Sequence, residues 1–384
     1  MTSVPLLDLK YQYAPMREEI RKAMDEVCDS QHFILGPKVE AFEAHIADYC
    51  GTAEAIGVSS GSDALLLSLM ALGIGPGDAV LTTPYTFFAT VGAIVRLGAV
   101  PLFADIDPVS FNMDPACART ALLAAEERFP GVKPKAMIPV HLYGQSADMN
   151  ALMTVAREFD LAVVEDACQS IGAEYPLEGG ASRVGSIGDT GCFSFFPSKN
   201  LGGFGDGGIV TTNNTELASR MRQLRNHGSA PKYYHKLVGG NFRLDALQAV
   251  VLDIKLKYLE HWHAHRRPNA DRYGRLFAGS AVQTPAAVFR DKGVVNYHIY
   301  NQYIVRIPNR DAVRTALTDA DVGCDIYYPV PLHLQECFTG LGYAKGDFPV
   351  SEQAASETLA LPIFSELTEV MQEYVAATLI KAVE

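Results

Sequence analysis

The feature that most constrains this chain is a series of short runs that are apolar on both faces. Leu161-Ala162-Val163-Val164 is the clearest example. A strand with one wet face alternates apolar and polar residues, so a run without alternation must be covered on both sides. Comparable strand candidates lie at 79–83, 99–104, 135–141, 161–166, 190–196 and 207–212, with helical patterns at 63–73, 86–97, 150–159 and 216–225 between most of them. Strands separated by helices predict an α/β fold built on a mostly parallel, doubly wound sheet. Two helices are expected ahead of it. One spans 15–28, with Pro15 near its first turn and Met16, Ile20, Met24 and Val27 on one face; the other spans 37–50 behind Pro37. A long helical stretch from about Asp245 to His265 precedes Pro- and Tyr-rich connections and helices near 311–320, 352–360 and 367–383. The expected organisation is a large domain over 1–265 and a smaller C-terminal α+β domain over 266–384.

With 384 residues, 48% of them hydrophobic, the chain has ample core-forming capacity. Its formal net charge of -12 argues against a general nucleic-acid binder. An anionic substrate would need local cations or helix N-termini. The start, MTSVPLLDLK, lacks the basic-then-apolar order of a signal peptide, and no apolar run reaches membrane-spanning length. The seven cysteines, scattered from Cys28 to Cys337 without a CxxC, read as free and mostly buried thiols in a reducing compartment. A cytoplasmic location is expected.

Three motif matches carry little. Gly57-Val58-Ser59-Ser60-Gly61 fits the nucleophile elbow, but such a short pattern recurs by chance in a chain with 32 glycines. Gly203 to Gly208 fits GxGxxG, yet it lies mid-chain and opens a strand rather than a helix, so it reads as a turn. His261, His263 and His265 are spaced by two and do not share a helix face; a polar helix surface beside Arg266 and Arg267 is expected there, and no metal site.

Three other segments carry chemistry jointly. Gly61-Ser62-Asp63 opens an apolar helix, where free N–H groups, the helix dipole and the Ser62 hydroxyl would suit an anion; by itself it is equally an ordinary cap. Asp166 ends a buried strand, where open α/β sheets bind ligands, and reads either as a functional anion or as a cap for the next turn. Lys199 leaves an apolar strand for a Gly-rich loop. A desolvated amine has a lowered pKa, as Schiff-base chemistry needs, although a solvated loop lysine is the commoner fate. A phosphate cup, an anion for a pyridinium nitrogen and an amine for an aldehyde are the three things pyridoxal 5'-phosphate requires of a protein.

The sequence resembles the DegT-type nucleotide-sugar aminotransferases, which have the fold-type I pyridoxal-phosphate architecture. The likeness runs from Pro5-Leu6-Leu7-Asp8-Leu9 through Phe33 to Pro37, Ser60 to Leu65, Glu165 to Ser170, Ser194 to Lys199, Gly205 to Gly208, Asn226-His227-Gly228 and Asn241 to Asp245, to Tyr328 to His333. The resemblance implies that Lys199 is the Schiff-base lysine and proton carrier and that Asp166 pairs with the pyridine nitrogen. It implies that Gln169 contacts the ring oxygen O3' and that Phe87 stacks on the ring. Ser62, Asp63 and Ser194 would hold the phosphate. Asn241 would reach the cofactor of the neighbouring subunit, making a homodimer with shared sites. Arg243, Tyr328 and His333 would lie near the sugar nucleotide.

Gln169 stands where some relatives have His. A His in place of the Schiff-base lysine marks dehydratases among the relatives, and the lysine here favours transamination. Residues 124–135 look longer than the usual connection, and a surface loop is expected there. The implied reaction passes an amino group from L-glutamate, leaving 2-oxoglutarate, to a keto sugar on a nucleoside diphosphate. The Cys168-Gln169-Ser170, Phe195 to Lys199 and Asn241-Phe242-Arg243 segments resemble enzymes of UDP-linked 3-oxo sugars, for lipopolysaccharide, other surface polysaccharides or glycoconjugates. The alternatives are a dTDP-sugar or 4-keto-sugar aminotransferase, or a non-catalytic pyridoxal-phosphate-binding regulator.

Overall fold

A computed structural model describes residues 3–384. Its centre is a seven-stranded sheet, in the order 54–58, 208–212, 190–194, 162–166, 133–137, 78–82 and 100–103. The last five of these strands run parallel to one another, and 208–212 is antiparallel to both of its neighbours. Successive residues serve opposite faces, as the two-residue strand period requires. Cys192 and Val210 pack with helices Gly61–Ala71, Phe88–Arg96 and Thr215–Arg225, whereas Phe193 and Ile209 pack with Leu9–Ser30, Pro37–Cys50 and Ala246–Leu256. Nearer the other edge, Leu81, Met137 and Val163 pack against Pro115–Leu123 and Met149–Glu158. This two-sided cover is why the strand runs read as continuously apolar.

Several expectations are corrected. The strand Glu54–Val58 is an additional element, paired throughout with 208–212. The first helix starts at Leu9, capped by the Asp8 carboxylate on the Lys10 N–H at 2.8 Å, so Pro15 lies inside it rather than in the first turn. The stretch 245–265 is two helices, Ala246–Leu256 and Leu259–Leu276. Residues 124–135 are not one loop: Ala125–Arg128 is helical, and Lys133 already belongs to a strand. Arg128 stacks over Tyr343 at 3.7 Å, tying this segment to the C-terminal part. His263 is buried with both ring nitrogens unpartnered and Arg266 is buried beside it, whereas the His261 and His265 rings lie tilted against each other, 4.0 Å between centroids. Of the seven free cysteines, Cys28 and Cys337 are exposed.

The helix Leu259–Leu276 runs straight through residue 265. Leu259 and Trp262 join the large core, and Ala270 and Tyr273 join a second core. That second core gathers the antiparallel pair 303–306 and 358–361 with helices Arg310–Asp319 and Glu369–Val383. Val4, from the N-terminal end, also packs there and bridges Val322. Among the described residues no helix is long and apolar enough to cross a membrane.

Candidate active site

A cavity of about 410 Å³ opens at the carboxyl ends of the parallel strands. Ser62, Phe87, Asp166, Gln169, Ser194, Lys199 and Tyr328 all line it, and they come from five separate segments. Each is delivered by local structure. Glu165 and Asp166 end the same strand and point to opposite faces. Glu165 turns away, bonded to the Gly185, Ile187 and Gly188 N–H groups and to His141, and Asp166 turns into the cavity. The Asp166 carboxylate accepts from the Thr90 hydroxyl at 2.8 Å and from the Cys168 N–H at 3.2 Å. Two donors, one on each oxygen, fix the orientation of this buried carboxylate. Thr86 stands 3.1 Å from the Thr90 hydroxyl, extending the chain of bonds.

The helix Gly61–Ala71 is apolar almost all round because it is buried, and its N-terminus meets the cavity. The Ser60 hydroxyl takes the Asp63 N–H at 3.1 Å, and the Asp63 carboxylate accepts from the Ser59 and Ser60 hydroxyls. Asp63 therefore builds the cap and does not line the cavity. The same bond ties up Ser59, the residue of the nucleophile-elbow match. The Gly61 and Ser62 N–H groups remain for a ligand, as first-turn donors do. Gly61 must be glycine: a Cβ there would lie 2.6 Å from Ser194 Cβ and 2.9 Å from Cys168 Sγ.

Lys199 sits in the turn after strand 190–194, its N–H bonded to the Phe196 carbonyl at 2.8 Å. Burial lowers the pKa of its amine below the usual lysine range, although Cys168 and Asp166 pull the other way. Burial pushes the Cys168 thiol well up, so the sulfur is a neutral wall. Phe87 caps the helix Phe88–Arg96, is 55% exposed at the cavity mouth and lies 6.0 Å from the Tyr328 ring. Gln169 accepts from the Tyr143 N–H at 2.7 Å and donates to the Tyr328 hydroxyl at 2.9 Å.

Three sequence candidates lie elsewhere in this chain. Asn241 is exposed and pairs through its backbone with Asn226. Arg243 bonds the Asn226 side chain at 2.7 Å, with its Nε buried and unpartnered. His333 is buried 3.1 Å from Glu352 and packed on Phe348, away from the cavity. Burial holds its pKa below the ordinary histidine value, with Glu352 opposing. The structure adds residues that the sequence did not single out: Thr90 on Asp166, and Gln302, Tyr327 and Asp206 in the lining.

The residues fit pyridoxal phosphate. A glycine-floored cup with free N–H groups and the Ser62 and Ser194 hydroxyls suits a phosphate. A doubly bonded carboxylate suits a pyridinium nitrogen, and a desolvated amine suits an aldehyde. A family model described as the DegT/DnrJ/EryC1/StrS aminotransferase family matches residues 15–380. The chain belongs to this family. It is 47% identical over 376 residues to the pleiotropic regulatory protein of Geobacillus stearothermophilus, covering 97% of this chain and 96% of the relative. It is 42% identical over 368 residues to the UDP-N-acetyl-3-dehydro-alpha-D-glucosamine 3-aminotransferase of Acidithiobacillus ferrooxidans, covering 96% and 95%. The crystal structure of S. venezuelae DesV in complex with a ketimine intermediate matches with a TM-score of 0.91 and 38% identity, covering 100% of this chain and 99% of that one. The protein is thus an aminotransferase of a pyridoxal-phosphate-dependent family whose members act on nucleotide sugars.

Proposed function

We propose that this aminotransferase moves the amino group of L-glutamate to a UDP-linked 3-oxo sugar, in a cytoplasmic pathway that supplies surface polysaccharide. The observation that carries the chemistry is the convergence of a desolvated Lys199 amine, the Asp166 carboxylate and the Gly61-Ser62 cup on one cavity. Relatives named for UDP-linked 3-oxo sugars support the substrate class. Relatives named for dTDP sugars support the alternative.

Bound pyridoxal phosphate supplies an aldehyde that condenses with amines and a ring that withdraws electrons from the adjoining carbon. Lys199 is neutral at lower pH than a solvent lysine, so its amine is available both as nucleophile and as proton carrier. Asp166 holds a proton on the ring nitrogen and is itself fixed by Thr90 and the Cys168 N–H. Ser62, Ser194 and the helix N-terminus hold the phosphate. Phe87, at the cavity mouth beside Tyr328, is placed to stack on the ring. Asn241 is proposed to act across a homodimer interface, and Arg243 to receive a sugar carboxylate or the diphosphate, since its fork matches both.

The test is the absorption spectrum of the protein loaded with pyridoxal phosphate. L-glutamate should replace the visible band with a pyridoxamine-like band. A UDP-linked 3-oxo sugar should then restore the visible band faster than dTDP-linked or 4-keto sugars do. Faster restoration by a dTDP sugar would move the substrate assignment, and a band that ignores every amino donor would favour a binding-only regulator.

A further inference from the structure

Tyr143 lies outside the cavity lining, yet three lining residues depend on it. It is only 4% exposed, and its backbone sits in the left-handed region at φ 61°. A tyrosine holds that conformation only where its surroundings impose it, and such strain gathers at functional sites. Gly144 follows at φ 109°, where a Cβ would lie 2.8 Å from the Asn301 nitrogen and 2.9 Å from that of Tyr300. The turn is thus pressed against 299–302, and the Ile299 N–H donates to the Gly144 carbonyl at 2.8 Å.

Every polar handle of Tyr143 is engaged with the cavity wall. Its N–H donates to Gln169 Oε1 at 2.7 Å, which turns the Gln169 amide nitrogen toward the Tyr328 hydroxyl. Its carbonyl accepts the Gln302 N–H at 3.3 Å. Its hydroxyl donates to the Tyr327 carbonyl, with the Tyr85 hydroxyl 2.9 Å away. Tyr85 reinforces the same carbonyl at 2.9 Å and reaches the Thr358 hydroxyl at 2.8 Å. Burial pushes the Tyr143 phenol well up, so it remains a donor throughout the working range. Edge-on rings of Phe111 and Tyr85 hold the phenol in place.

We infer that Tyr143 is a positioning residue. From one strained, buried backbone position it sets the Gln169 amide, the Tyr327-Tyr328 wall and the Gln302 wall against one another. These walls come from distant parts of the chain, so the shape that a substrate meets depends on a residue that does not touch it. The kinetic part of this inference rests on the aminotransferase reading, and the structural part does not.

Tyr143→Phe keeps the ring and both backbone handles and removes only the hydroxyl. Two readouts are taken on the full chain: hydrogen exchange at the amides of Ile326, Tyr327, Tyr328 and Val330, and steady-state kinetics with the keto-sugar acceptor. Exchange at Tyr327 and Tyr328 should quicken about tenfold above any chain-wide change, because local opening of this segment no longer has to break the hydroxyl's bond to the Tyr327 carbonyl. KM for the acceptor should rise about five- to tenfold, with kcat falling less than threefold. Tyr85→Phe should act in the same direction more weakly, and it carries the exchange test if Tyr143→Phe does not fold. Unchanged exchange at 327–328, or faster exchange spread evenly over the chain, overturns the inference. So does an equal loss in kcat with KM unmoved. A wild-type protein that transfers no amino group would sink the functional proposal and leave the exchange result standing.

Discussion

Glu165 is one residue from Asp166, and its bonds fix the strand end that aims Asp166 into the cavity. Its carboxylate is fully buried and accepts from Ile187 and Gly188 at 2.7 Å, Gly185 at 2.8 Å and His141 Nε2 at 2.9 Å. The Ala147 N–H donates to His141 Nδ1 at 3.0 Å, so the imidazole proton is on Nε2 and His141 is a donor to Glu165. Glu165→Gln preserves size and keeps one oxygen for Ile187 and Gly188. It replaces the other oxygen by an amide nitrogen that confronts two donors, Gly185 N–H and His141. Each buried donor left unpaired costs about 1–3 kcal/mol, so the substitution should destabilise by about 3–5 kcal/mol. For a chain of this length the melting entropy is about 0.8 kcal/mol/K, and the midpoint should fall by roughly 4–6 °C. Differential scanning fluorimetry of the cofactor-free protein reads this, with the exposed Glu178→Gln as control. A midpoint within 1 °C of that control, a threshold of roughly 1 kcal/mol, would mean that the Gly185 N–H and His141 are not left unpaired by the amide.

Three further outcomes are expected. Gly61→Ala should weaken pyridoxal-phosphate uptake at least tenfold in a binding titration, because the added Cβ meets Ser194 at 2.6 Å; unchanged affinity would remove Gly61 from the cup. Lys255 is buried against the Gly202 carbonyl and its pKa is lowered to about 8 by burial, from an ordinary 10.5. Between those values the unfolded chain binds the extra proton, so stability should rise with pH across that window, and Lys255→Met should flatten the rise in urea unfolding series; parallel curves would deny the shift. Mixing Asn241→Ala with Lys199→Ala subunits should regain up to roughly a quarter of wild-type activity, since half the dimers would then hold one intact site. No recovery would count against shared sites.

The strands that were legible in the sequence are those whose burial is written on both faces, such as Ala162–Asp166. Glu54–Val58 was not, because its five residues include Gly57, whose place is set by Leu244, Glu43 and Arg225 rather than by local propensity. The start of the first helix was not legible because Pro15 reads as a first-turn signal, whereas the Asp8 cap lies seven residues earlier. His263 looked like part of a polar surface because its spacing shows no face, yet the fold buries it against Gly172. In the site, Asp166 and Lys199 were visible because strand ends and Gly-rich turns leave a trace in sequence. Tyr143 and Gln302 were not: a positive φ at tyrosine has no sequence signature, and Gln302 arrives from more than a hundred residues beyond Lys199. His333 matched a family segment, but its side chain packs inward on Phe348 and Glu352.

The central claim is that Lys199 is the amine that holds the cofactor. Borohydride reduction of the protein loaded with pyridoxal phosphate, followed by peptide mass mapping, tests it most directly. A single reduced adduct on Lys199, absent from Lys199→Ala, is expected. An adduct on another lysine, or one that survives in Lys199→Ala, would contradict it.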